Sequence, residues 1–107
     1  MEFLNKVEIR GVVGMVRITK VADTETAQFS VMTEDVNQGK DGCAVVNCTW
    51  FSVRAWKGPG IVDLQKIEKG SRVHIIGRFR CQRYVASDGS DRTSYEVVAQ
   101  ELNLLEE

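Results

Sequence analysis

The chain has 107 residues, 43% hydrophobic and 27% charged, a composition typical of one folded domain and unlike that of a disordered chain. A membrane span would need about 18 consecutive apolar residues, which the sequence lacks, and MEFLNKVEIR does not resemble a secretory signal. Three cysteines without a CxxC pair and a lone histidine give no metal-binding pattern and no cofactor. We expect free, mostly buried thiols in a reducing cytoplasm.

The net charge of −1 hides an uneven distribution of charge along the chain. Residues 50–92 carry nine basic and four acidic side chains, a local charge of +5, and residues 1–20 carry +2. Residues 21–49 and 93–107 carry −4 each. Because the local field steers a polyanion more than the net charge does, the composition is compatible with nucleic-acid binding.

The first half of the chain reads as strands. Residues 5–19 alternate polar and β-branched types and predict a long first strand, with two glycines as bend or bulge points. Residues 27–32 (AQFSVM) predict a second strand, and residues 34–42 (EDVNQGKDG) predict a loop. Residues 45–56 predict a third strand, which ends at Gly-Pro-Gly.

The second half begins with a predicted short helix in IVDLQKIEKG, where Ile61, Leu64 and Ile67 share one face. A fourth strand over 71–85, a turn over 87–91 and a fifth strand over 94–105 follow. Three strands, one helix and two strands form the layout of an all-β, five-stranded OB-fold barrel. We therefore predict a single OB-fold domain over residues 1–107, with one short helix between strands 3 and 4.

Side-chain alternation gives the third and fourth strands two different faces. The predicted core positions are Phe51, Val53, Ala55, Val73, Ile75, Gly77, Phe79 and Cys81. The opposite faces carry Trp50, Ser52, Arg54, Trp56, Arg72, His74, Ile76, Arg78, Arg80, Gln82 and Tyr84. Aromatic rings stack on bases and arginines bind phosphates, so this mixture favours a flexible single strand as ligand.

Two alternatives stay open at this point. The tryptophans could pack under a loop or in a subunit contact, with Arg54 reaching solvent, which would favour an OB module for protein assembly. An enzyme is not expected, because the sequence has no nucleophile motif or phosphate-cradling loop. By the charge argument the candidate phosphate-binding residues are Lys6, Arg10, Arg54, Lys57, Arg72, Arg78, Arg80 and, with core-side parity, Arg83.

The chain resembles the bacterial single-stranded DNA-binding proteins (the SSB family) over nearly its whole length. The resemblance rests on NKVEIRGVVG, FSVMT, CTWFSVRAWKG, LQKIEKGSRVHIIGRFRCQRY and SDGSDRTSYEVVAQELNLL, in this order. It implies an OB fold and sequence-tolerant binding of single-stranded DNA in replication, recombination and repair. It also implies that Trp50, Trp56 and Tyr84 stack on bases, whereas Val36 stands where the family has another tryptophan.

The family usually forms homotetramers, so the resemblance implies a homotetramer or a dimer of dimers. Oligomerisation has only indirect support from the sequence. We expect the apolar residues Ile9, Val12 and Ile76 to face outward, and contact with another subunit would cover them. The chain stops at LLEE, so it resembles a short form without the usual C-terminal tail. Tail-mediated recruitment of repair proteins is therefore doubtful, and a cytoplasmic, nucleoid-associated location is expected.

Overall fold

The computed structural model describes residues 1–105 and contains five strands and one short helical turn. The strands are β1 (Val7–Val21), β2 (Thr24–Gln38), β3 (Ala44–Trp56), β4 (Arg72–Val85) and β5 (Asp91–Leu104). A single 3-10 turn, η1 (Leu64–Lys66), lies between β3 and β4. It is not long and apolar enough to cross a membrane.

The strands close into a barrel in the order β1-β2-β3-β5-β4, which confirms the predicted five-stranded OB architecture. All neighbouring strands pair antiparallel except β3 and β5, which run parallel. That parallel seam consists of two pairs, Val53 with Val97 and Arg54 with Val98. The β3–β5 junction is therefore the shortest ladder in the barrel.

The core lies inside the barrel and is built from small and medium aliphatic side chains. Its buried residues are Ile9, Val13, Ala27, Phe29, Val31, Val53, Ala55, Leu64, Ile67, Val73, Ile75, Val97, Ala99 and Leu102. Leu64 enters the core from η1, where the Asp63 carboxylate caps the turn by accepting from the Gln65 amide. The short helix predicted between strands 3 and 4 is therefore a three-residue turn, and it contributes a buried leucine.

A bulge near Gly14 changes which β1 side chains face the core. Before the bulge Ile9 and Val13 are buried, and after it Val16 pairs with Phe29 and packs against the core. The Met15 amide donates to the Ser30 hydroxyl at 3.0 Å, which ties the bulge to β2. The expectation that Ile9 faces outward is therefore wrong, because its side chain is 4% exposed inside the barrel.

Two hairpins extend from the barrel as arms. In the first, β2 and β3 stay paired out to Gln38 and Ala44, so the loop predicted over 34–42 is wrong and most of it is strand. We call residues 34–48 the acidic arm, because three acidic side chains and one lysine lie on it. We call residues 78–92 of β4 and β5 the basic arm, since it carries four arginines and two aspartates.

The arms also explain two wrong predictions of burial. Phe79 and Cys81 have core-side parity, but Phe79 lies at the last β4 position beside the β3–β5 pairing and Cys81 lies beyond it, and both are exposed. The other two cysteines, Cys43 and Cys48, lie on the acidic arm and are exposed as well. The thiols are free, as predicted, but they are not buried.

Candidate nucleic-acid interface

Trp50 lies on the outer face of β3 and is 58% exposed. It pairs across the sheet with Met32, and the six-membered part of its indole lies close to Gly14 of the β1 bulge. A Cβ built on Gly14 would come within 2.6 Å of a Trp50 ring carbon and 2.7 Å of the Ser30 hydroxyl. The absent side chain at Gly14 therefore leaves the space that the Trp50 ring occupies, while more than half of the side chain stays exposed.

Trp56 ends β3 on the same outer face, opposite Thr26, and is 39% exposed. The two tryptophans are six positions apart along the strand, a separation of about 20 Å. The chain after Trp56 is held by the Lys57 amide, which donates to the Glu25 carbonyl at 3.0 Å. The two indoles thus mark the two ends of one exposed strand face, as the alternation pattern predicted.

Between the tryptophans, Arg54 belongs to an ion cluster. The buried Glu96 carboxylate accepts from Arg54 Nε at 3.3 Å and from the Arg80 guanidinium through its other oxygen. These three residues lie on β3, β5 and β4, so the cluster bridges the short parallel seam. Arg54 and Arg80 therefore have a structural partner in addition to any phosphate. This partner was not predicted from the sequence.

A row of aligned residues carries cations across the outer face of the barrel. Cross-strand pairing links Arg17 to Gln28, Gln28 to Arg54, Arg54 to Val98 and Val98 to Arg78. Arg17 was not among the predicted phosphate-binding residues. Arg78, by contrast, makes no ion pair with any residue of the described chain.

Tyr84 lies on the basic arm, 48% exposed, and pairs with Arg92. Near the tip of that arm, Asp88 accepts hydrogen bonds from the Ser90 hydroxyl and amide, which lower the pKa of its carboxyl. Arg83 lies beside Tyr84 and is exposed, although its parity is that of the core side. The arm thus presents an aromatic ring among several guanidinium groups.

The remaining candidates lie on another side of the barrel. Arg10 and Arg72 line one groove on β1 and β4, and Lys6 directly precedes β1. Strands β2 and β5 separate this surface from β3 on either side, so the structure does not group these cations with the tryptophans. On the same surface His74 Nε2 lies 2.7 Å from a Glu8 carboxylate oxygen, and this hydrogen bond lowers the pKa of Glu8.

Two exposed aromatic residues were absent from the predicted site. Phe79 of β4 and Tyr95 of β5 are 45% and 59% exposed, and their rings stack with centroids 5.6 Å apart. Asn5 holds the backbone at Phe79, since its side chain accepts from the Phe79 amide at 2.9 Å and donates to the Phe79 carbonyl at 2.7 Å. Parity assigned Phe79 to the core, which removed it from consideration.

Comparisons with known proteins agree with this fold. A family model described as the single-strand binding protein family matches residues 4–105. The single-stranded DNA-binding protein of Neisseria meningitidis serogroup A is 30% identical over 77 residues, which are 72% of this chain and 44% of that protein. That of Xylella fastidiosa strain Temecula1 is 30% identical over 105 residues, which are 95% of this chain and 63% of that protein. This chain therefore spans 44% to 63% of the length of these two relatives.

Solved structures match at lower sequence identity. The Plasmodium falciparum SSB complex with ssDNA superposes with a TM-score of 0.86 at 18% identity, covering 99% of this chain and 98% of that chain. A deletion mutant of the single-stranded DNA binding protein from Thermus aquaticus gives a TM-score of 0.77 at 18% identity, covering 96% and 51%. At this identity the superpositions support the shared barrel alone.

Proposed function

Because this chain belongs to the single-strand binding protein family, we propose that it binds single-stranded DNA with little sequence preference. Bases would stack on Trp50, Trp56 and Tyr84, since every base offers a π-face and each stack contributes roughly 1–3 kcal/mol. Cations beside these rings would neutralise the phosphates, so that affinity would fall as salt rises. The protein would act as a binding protein, not as an enzyme.

The observation that carries this proposal is the outer face of β3. Trp50 and Trp56 are both exposed there although large apolar rings are usually covered, and the row of Arg17, Arg54 and Arg78 crosses the same face. A single strand offers both unstacked bases and a negative backbone, which suits this alternation of rings and guanidinium groups. Lys57 continues the positive charge next to Trp56 and makes no ion pair among residues 1–105.

We further propose a homotetramer, or a dimer of dimers, that protects transiently exposed strands in replication, recombination and repair. Val12 on β1 and Ile76 on β4 are half-buried, and a partner subunit would cover them. Ile9 gives no such support, because it lies in the core. A cytoplasmic, nucleoid-associated location would follow from this role. A bound DNA strand would also cross the β1–β4 surface, away from the tryptophans. Its phosphates would there contact Lys6, Arg10 and Arg72.

The direct test is tryptophan fluorescence during titration with oligo(dT) and with a duplex of equal length, at several salt concentrations. Both tryptophans lie on the proposed face, so their emission reports on the stacking itself. We expect quenching by the single strand that weakens as salt rises, with a slope in log Kd of about 0.7 per phosphate contact. Absence of quenching at low salt, or equal quenching by the duplex, would contradict the proposal.

One observation favours a second candidate, a protein-assembly module. The acidic arm exposes Val36, Val45 and Val46, at 65%, 43% and 58%, on a segment whose charge opposes contact with DNA. A protein partner would cover this apolar surface more readily than a polyanion. Replacing Val36 and Val46 with serine should then weaken self-association in sedimentation experiments without altering oligo(dT) binding.

A further inference from the structure

A cleft opens beside the parallel seam, where β3 and β5 separate. The strands pair only at Val53–Val97 and Arg54–Val98 within the described chain, and the residues before these pairs diverge. The space between them measures about 360 Å³, within the range of sites that hold small planar ligands. The cleft therefore arises from the barrel topology itself and not from a loose loop.

Aromatic rings from three strands line this cleft. Trp50 and Phe51 come from β3, Phe79 from β4 and Tyr95 from β5. Trp50, Phe79 and Tyr95 remain 45% to 59% exposed, although their rings border the same concave space. The Phe79 and Tyr95 rings stack on each other, and the two Asn5 hydrogen bonds hold the Phe79 backbone, so the pair offers a stacked aromatic platform.

The polar lining indicates which kind of planar ligand suits the cleft. Glu96 lies in the lining and engages both Arg54 and Arg80, which leaves one positive charge in excess in the cluster. Ser52 adds a hydroxyl that can donate to or accept from a base edge. An excess cation beside aromatic rings fits a negatively charged chain of planar rings better than an acidic or purely apolar peptide.

We propose that this cleft holds one nucleobase of a bound single strand, stacked on the Phe79–Tyr95 pair. The inference rests on the proposed function and adds a stacking site to Trp50, Trp56 and Tyr84. The phosphate next to that base would lie near Arg80, drawn by the excess charge of the cluster. A DNA strand that enters the cleft would pass from the outer face of β3 toward the basic arm. One bound DNA strand would therefore contact both Trp50 and Tyr84.

The experiment uses oligo(dT) in which single thymidines are replaced one at a time by 5-iododeoxyuridine. Irradiation joins this base to an aromatic side chain in contact with it, and mass spectrometry of the peptides identifies the residue. We expect crosslinks to Phe79 or Tyr95 from at least one position. In parallel, Tyr95→Ser should weaken oligo(dT) binding about 5- to 150-fold, whereas Tyr95→Phe should stay within about 2-fold of the unmodified protein.

The outcomes separate this inference from the proposed function. If the unmodified protein binds oligo(dT) but crosslinks occur only outside the cleft and Tyr95→Ser binds normally, the cleft site is wrong and the proposed function stands. If the unmodified protein does not bind oligo(dT), both are wrong. If instead Tyr95→Ser disrupts self-association and leaves oligo(dT) affinity unchanged, a second copy occupies the cleft. Crosslinking of the unmodified protein does not depend on whether the variant folds.

Discussion

Gly14→Ala should weaken the interface more than the fold. The added Cβ would lie 2.6 Å from a Trp50 ring carbon, whereas carbon atoms in contact lie about 3.5–4.0 Å apart. The indole must therefore move outward by about 1 Å or rotate away from its present position beside Gly14. Because Trp50 is 58% exposed, this movement meets little resistance from the core.

The expected size of each effect follows from that geometry. Loss of an aligned stack at Trp50 should weaken oligo(dT) binding by about 1 kcal/mol, or roughly 5-fold, at the low end of a full stacking contribution. Stability should change by less than about 1 kcal/mol, since alanine restricts the unfolded chain by a comparable amount and offsets part of the strain. Fluorescence titration and urea unfolding measure the two quantities on the same sample.

Two other glycines provide matched controls. At Gly58 an added Cβ meets nothing within 4 Å, so Gly58→Ala should leave both affinity and stability unchanged. At Gly77 the Cβ would meet the Val98 carbonyl oxygen, which is backbone, so Gly77→Ala should lower the free energy of unfolding by about 1–3 kcal/mol or more. If Gly14→Ala lost that much stability while binding oligo(dT) normally, the space at Gly14 would be needed for the fold and not for DNA binding. Our reasoning would then be wrong.

Three further predictions concern charged groups. Glu96→Ala should lower the free energy of unfolding by about 1–3 kcal/mol in urea titrations. The loss is smaller than for a fully buried pair, because Arg54 and Arg80 are 26% and 43% exposed. An unchanged midpoint of urea unfolding would contradict this prediction. Glu8 has a pKa lowered from 4.5 by its hydrogen bond to His74, so its contribution to stability is present above pH 4.5 and is lost as the pH falls through the lowered value. Glu8→Gln should therefore lower the melting temperature at neutral pH but not in acid, and a difference that persists in acid would refute the assignment. Arg78→Ala should reduce the salt slope of oligo(dT) binding by about 0.7, whereas Lys66→Ala on η1 should leave it unchanged.

Alternation predicted the β3 face well because both sides of that strand are well defined inside the barrel. Val53 and Ala55 are fully buried, and Trp50 and Trp56 are exposed, as expected. The same rule failed at Phe79, since parity tells which face a side chain takes but not whether a second layer covers it. At the end of the barrel, where Phe79 lies, no such layer covers that face of β4.

Other errors have equally local causes. The acidic arm is exposed on both faces, so its strands show no apolar alternation, and residues 34–38 read as loop. The ion cluster at Glu96 was not predicted, because it depends on arginines 42 and 16 positions away in sequence. The Tyr95 site depends on where β3 and β5 separate, which the sequence does not encode locally.

The opposite charges of the two arms give the molecule an electric dipole. The acidic arm carries −2 and the basic arm +2, so an approaching phosphate chain is repelled by one and attracted by the other. Encounters would be oriented before any base touches a ring, with the strand arriving at Tyr84 first and reaching Trp50 later. At physiological salt this electrostatic guidance acts over about 8 Å. Reversing the charges on the acidic arm would therefore change the association rate more than the dissociation rate.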